Sequence, residues 1–176
     1  MKFKLIAAVA ALALVAGCSA QESASSIEEP PAAQETPAPV WNFDDADAST
    51  NGNVLPASRL MLSGDLAAPK DIDAASALKR PWDHYGQLVC FSGMVGIVND
   101  MPPGDEISKA LGGEAAEVVI ATADQTLVDA IIIGSSDTLK PGDSAKVCGL
   151  IAGRVDVENQ LGGQSTQLLM VARLAP

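Results

Sequence analysis

The sequence predicts a mainly β protein: a small closed five-stranded barrel with one or two short helices, preceded by a signal peptide and a disordered linker. Three observations predict it. From Gly86 onward, short β-branched runs alternate with turn signals: QLVCFSGMVGIV, EVVIAT, LVDAIIIG, SAKVCGLIAGRVDV and TQLLMVARL. One long connection, NDMPPGDEISKALGGEAA, separates the first two, which suits a small barrel better than a seven-stranded sandwich. Upstream lie a short apolar leader and a stretch rich in Pro, Ala, Ser and Glu that cannot build a core. At 176 residues the chain has the length of one domain with a tail.

In residues 1–17, Lys2 and Lys4 precede an apolar run from Leu5 to Val15, followed by small residues and Cys18, the pattern of a secretion signal. A membrane span takes about 20 apolar residues, so this run is too short to cross a bilayer. The stretch Val15-Ala16-Gly17-Cys18 resembles the lipobox of bacterial lipoproteins. That resemblance implies acylation of Cys18, with palmitate-class chains, and cleavage just before it. The mature chain then attaches to the membrane through its N-terminal lipid, in the cell envelope and facing the periplasm. Ser19 after the cysteine implies the outer membrane in preference to the inner. The alternative is an ordinary secretory signal with Cys18 at the cleavage region by chance. Several acyl chains hold firmly because each buried methylene contributes about 0.8 kcal/mol.

Residues 18–40 comprise the cysteine and a tether, SAQESASSIEEPPAAQETPAPV. Its prolines favour extended backbone at about 3.1 Å per residue, a reach of about 70 Å. Residues 41–81 are expected to be an extended segment ending in a short helix. Trp41 and Phe43 mark the first contact with a folded body. In DDADASTNGN, residues Asp47, Ser49, Asn51 and Gly52 match the first half of a calcium loop, but Ser58 stands where the bidentate Glu belongs and Pro56 interrupts the exit. A solvated Asx and Gly turn is the expected form. DIDAASALKR carries acids first, bases last and Ile72, Ala75 and Leu78 at three-residue spacing, which predicts a helix stopped by Pro81.

Residues 82–176 form the barrel. A tight turn around Asp124 and Gln125 predicts a hairpin between the second and third strands, and Asp105 to Leu111 a short helix. Two segments share a turn Gly, alternating inward residues and a strand Gly: Gly86-Gln-Leu-Val89-Cys-Phe91-Ser-Gly93 and Gly142-Asp-Ser-Ala145-Lys-Val147-Cys-Gly149. Glycine at the last position lets a strongly bent strand coil around a narrow barrel. Here the chain resembles OB-fold proteins, specifically the tRNA-anticodon-like OB family found among bacterial exported proteins. YGQLVCFSGMV and LKPGDSAKVCG carry the likeness, which spans roughly residues 72–174.

In that topology the first and fourth strands are neighbours. Counting alternation back from Gly93 and Gly149 puts Cys90 and Cys148 on the face opposite Val89 and Val147. In an oxidising compartment a cross-strand disulfide between them is expected, with two separate reduced thiols as the alternative. No CxxC spacing supports a redox-active pair.

Eleven Lys and Arg against 22 Asp and Glu make the chain strongly acidic, and loss of residues 1–17 removes two lysines and no acids. Single-strand binders on this fold use a basic groove with stacking aromatics. From Trp82 onward there are five bases and twelve acids, and the aromatics are Trp82, Tyr85 and Phe91, so no nucleic acid partner is expected. One His and three Cys are too few for a zinc or iron–sulfur site, and no cofactor motif occurs. His84 lacks an accompanying nucleophile element, so the chain is expected not to be an enzyme. The fold's usual contact surface is its second and third strands with the first and last loops. The resemblance therefore places Thr122, Asp124, Gln125, Thr126, Asn159 and Gln160 near a surface for a protein partner or small polar ligand. The competing readings are an envelope hydrolase using Asp129 with Asp156 or Glu158, and a purely structural spacer.

Overall fold

The computed structural model describes residue 38 and residues 40–136, 138–158 and 162–176. The expected signal peptide, Cys18 and the tether up to residue 37 lie outside the described residues, as do Asn159 and Gln160. Five strands, β1 (Leu88–Met101), β2 (Ala115–Thr122), β3 (Leu127–Ile133), β4 (Ser144–Glu158) and β5 (Gln164–Leu174), close into a barrel in the order β1-β2-β3-β5-β4. All neighbours are antiparallel except β3 and β5. The mainly β, closed five-stranded architecture is the one the strand pattern predicts.

Alternation sets what faces inward. Val89, Phe91 and Val95 of β1, Val118 and Ile120 of β2, Val128 and Ile132 of β3, Val147 and Ile151 of β4, and Leu168 and Met170 of β5 form the barrel interior. A shift in the β1–β2 register between Val95 and Ile97, and one in β4–β5 between Ile151 and Gly153, bend the long strands around it. Inside the bends the backbones touch. A Cβ on Gly93 would stand 2.4 Å from the Ala121 carbonyl oxygen, and one on Gly149 only 2.1 Å from that of Val171. These are the two strand glycines of the repeated sequence pattern.

The helix α2 (Ala74–Lys79) closes part of the barrel interior with buried Ala74 and Ala77, while Ile72 and Leu78 pack at its margin. It starts at Asp73, whose carboxylate accepts from the Ser76 amide at 3.0 Å and hydroxyl at 2.7 Å. Pro81, the expected stop, opens a short 3-10 turn, Pro81–His84. A third helix, α3 (Glu106–Ala110), lies in the long first connection as expected and is capped by Asp105.

The segment from 41 to 70 departs from the expected extended form, because it contains the helix α1 (Val54–Ser63). Pro56 does not break it. A proline in the first helical turn forfeits only an N–H that has no intrahelical acceptor. Gly64, left-handed at φ 73°, ends the helix with its amide on the Leu60 carbonyl. Ala57 and Met61 of α1 bury against Leu111, Ala115, Ile131, Leu150 and Val171, forming a second apolar cluster outside the barrel.

Residues 41–53 are stitched to this body by polar contacts. Trp41 stacks on Tyr85, with ring centres 5.7 Å apart, and Phe43 tilts against the same ring. The Asn53 side chain grips the Asn42 backbone: Asn53 Nδ2 donates to the Asn42 carbonyl, and the Asn42 amide donates to Asn53 Oδ1. The Asn51 side chain, 7% exposed, donates to the Ala152 carbonyl at 2.9 Å and accepts from the Asn53 amide at 2.8 Å. Beside it, residues around Asp47 pair with β4 at Arg154. Replacing Asn51 with alanine strands a buried carbonyl and is expected to cost about 2 kcal/mol. Urea unfolding checks this, and a midpoint equal to that of the unsubstituted chain would contradict it.

Candidate functional site

The turn between β2 and β3 is built by its own side chains. The Thr122 amide donates to the Thr126 carbonyl at 3.0 Å, and the Gln125 amide to the Thr122 carbonyl at 2.9 Å. The Thr122 hydroxyl contacts both the Asp124 carboxylate and the Thr126 carbonyl, and the Thr126 amide donates to Asp124 Oδ1. With the Thr122 hydroxyl as the main cause, followed by the Thr126 amide, Asp124 is held below the usual carboxylate range. Gln125 takes a left-handed φ of 66°, a conformation that costs an L residue about 1 kcal/mol and that only one other kind of residue, glycine, adopts among the described positions. Of the residues expected at the contact surface, Thr122, Asp124 and Thr126 therefore shape the turn. Thr126 is buried, and Asp124 and Gln125 are exposed.

Because β3 and β5 run parallel, the turn at 122–126 and the paired ends of β4 and β5, Glu158 with Gln164, lie at one end of the barrel. The outward face of β2 and β3, in contrast, is closed in part by the chain itself. Ala115 and Ile131 lie beneath Ala57 and Met61 of α1. A ligand approaching the second and third strands there would meet a helix.

The open surface lies to the side, where β1 leaves β4 for β2. Gly93 pairs with Thr122 on one side and Ala145 on the other, and Met94 pairs with Ser144. Ser92, Met94, Ala121, Thr122, Ser144 and Ala145 line a shallow hollow of about 420 Å³. It adjoins a second, also about 420 Å³, that shares Ser92, Ser144 and Ala145 and extends past Leu139 and Lys146 to Leu174. The floor is small and hydroxyl-rich, and Met94 stands over it 63% exposed. Sequence reasoning passed over Met94, although its signal is legible: Val89, Phe91 and Val95 face inward, which puts a large apolar Met94 on the outward parity.

Cys90 and Cys148 pair directly in the β1–β4 register and form the expected disulfide, with an S–S distance of 2.06 Å and Cα atoms 4.1 Å apart. Both lie on the outward face, as the alternation count requires.

The carboxylates of the hydrolase reading do not meet. Asp129 pairs with Leu169, on the outward side of β5, whereas Asp156 pairs with Thr166, on the opposite side, and Glu158 shares the side of Asp156. The Asp156 carboxylate accepts from the Thr166 hydroxyl at 2.6 Å. Asp83, the sequence neighbour of His84, is engaged by Arg80 at 2.8 Å. In the former calcium-loop segment, Asp47 accepts from the amide and hydroxyl of Ser49 and Asn51 turns inward, the expected Asx turn. Among the described residues no group of three or more His, Cys, Asp or Glu is placed to hold a metal ion, and no helix is long and apolar enough to cross a membrane.

No protein-family model matches the chain, and no curated protein is significantly similar to it in sequence.

Proposed function

We propose that the chain is a non-enzymatic cell-envelope lipoprotein of the OB kind, tethered through Cys18, that presents its barrel to a protein or a small polar ligand at the hollow beside the β2–β3 turn. Met94 carries this reading. A large, flexible apolar side chain, 63% exposed on a strand and flanked by Gly93, Ser92 and Ser144, suits the role of contact residue. Hydroxyls around it supply orienting hydrogen bonds, in the mix of apolar and polar groups that binding sites use. The same choice of surface is supported by α1, which packs against Ala115 and Ile131 at one end of the β2–β3 face.

The anchored protein, cross-linked in membranes and recovered, tests the surface. Met94→Glu is expected to abolish partner recovery, while Leu55→Glu, on the exposed side of α1, leaves it intact. Equal recovery from both variants rejects the hollow as the contact surface. Mass spectrometry of the unreduced protein tests the anchor: an acyl mass on an N-terminal Cys18 is expected, and an unmodified Cys18 overturns it.

A further inference from the structure

Two buried oxygens on the outward side of the β3–β5 seam have no hydrogen-bond partner: Asp129 Oδ1 and Gln167 Oε1. Their residues are 7% and 6% exposed. In the parallel register Asp129 pairs with Leu169, and Gln167 stands two residues before Leu169 on the same outward face, one diagonal step from Asp129. Two acceptors cannot satisfy each other, and an unsatisfied buried acceptor is costly. A single proton between them satisfies both.

We propose that Asp129 is a neutral carboxylic acid donating its proton to Gln167 Oε1, and that this pair is a pH-sensitive clasp on the seam that closes the barrel.

The surroundings disfavour the ionised form. On the outward face of β2 the titratable neighbour is Glu117, two residues from Val119, the cross-strand partner of Asp129, and Asn99 of β1 donates to its carboxylate. On that face β3 offers Leu127 and Ile131, β5 offers Leu169 and Gln167, and β4 offers Gly153 and Val155, none of them charged. Arg154 pairs with the inward Leu168 and so belongs to the other side. Burial first, and the Glu117 charge second, push the Asp129 carboxyl up to about 7. Since the folded value exceeds the unfolded one, the stabilising contribution is complete below the ordinary carboxylate range. It is lost as pH rises through the folded value. The seam it acts on is the barrel's one parallel pairing, from Val128 with Leu168 to Ile132 with Ala172.

The test combines a carbon-13 titration of the aspartate carboxyls with urea unfolding of the unsubstituted chain, Asp129→Asn and Gln167→Met. The Asp129 carboxyl is expected to titrate near neutrality. Between about pH 6 and about pH 8.5 its ionisation should lower the folding equilibrium constant about tenfold, a drop that Asp129→Asn removes. Gln167→Met takes away the acceptor of the proton and should lower the Asp129 midpoint. A midpoint in the ordinary carboxylate range overturns the proposal. So does a midpoint that Gln167→Met leaves unchanged or raises, which would assign the shift to burial alone or make Gln167 a donor to the ionised form. The titration and Gln167→Met decide the matter even if Asp129→Asn fails to fold.

Discussion

Gly149→Ala is expected to destabilise the barrel by about 3 kcal/mol or more, at the top of the usual range for overpacking. The added methyl would lie 2.1 Å from the Val171 carbonyl oxygen and 2.5 Å from the Ala172 Cα, and both are backbone atoms of the adjoining strand. A flexible side chain could rotate away from such an intrusion, but a strand paired on both sides cannot. The β4 and β5 backbones must separate, which weakens the pairs Gly149 with Ala172 and Leu150 with Val171. Gly93→Ala should act in the same direction against Ala121. Gly96→Ala is the control, because its nearest neighbour would be 3.7 Å away. Urea midpoints of the three variants check the ordering, and a Gly149→Ala midpoint no lower than that of Gly96→Ala would contradict the close-approach argument.

Removal of the Cys90–Cys148 disulfide by paired alanine substitution is expected to cost about 4 kcal/mol in the chain-entropy account, given its sequence separation of 58. The cross-link joins β1 to β4 and spans β2, β3 and the long connection between β1 and β2. The unfolded chain without it therefore regains a large set of conformations. The strands keep their pairing partners, so the loss should appear as a lower unfolding midpoint and not as a changed fold. Unfolding with and without reductant measures it: the reduced unsubstituted chain should match the double variant, and identical midpoints in both conditions would contradict the assignment.

Much of the barrel is legible in the chain because strands carry a short-range code. Period-two alternation through Val89, Phe91 and Val95, and through Val147 and Ile151, marks the inward face one strand at a time. The same parity puts Cys90 and Cys148 on the other face and picks out Gly93 and Gly149 as points of close approach. Capping is local too: Asp73 and Asp105 start their helices with bonds to residues two or three positions away. The helix α1 was not legible, since Pro56 resembles a breaker and its buried side holds only small residues with Met61. What gives that helix its place is the apolar outer surface of β3, β4 and β5, which comes together only when the barrel closes.

The proposed contact surface divides in the same way. Thr122, Asp124 and Thr126 form a polar turn recognisable by composition, yet their side chains are spent on holding that turn. Met94 and Ser144 are fifty residues apart and share a hollow only because β1 pairs with both β2 and β4. The strands, their inward faces, the disulfide parity and the glycines at the bends can be read from the chain, since each depends on neighbours within a few positions. Barrel closure is what sets α1 against β4 and β5, puts Asp129 and Asp156 on opposite sides, and brings Asp129 and Gln167 to one diagonal step across the closing seam. Those relations depend on register and closure between distant segments, which no local pattern encodes.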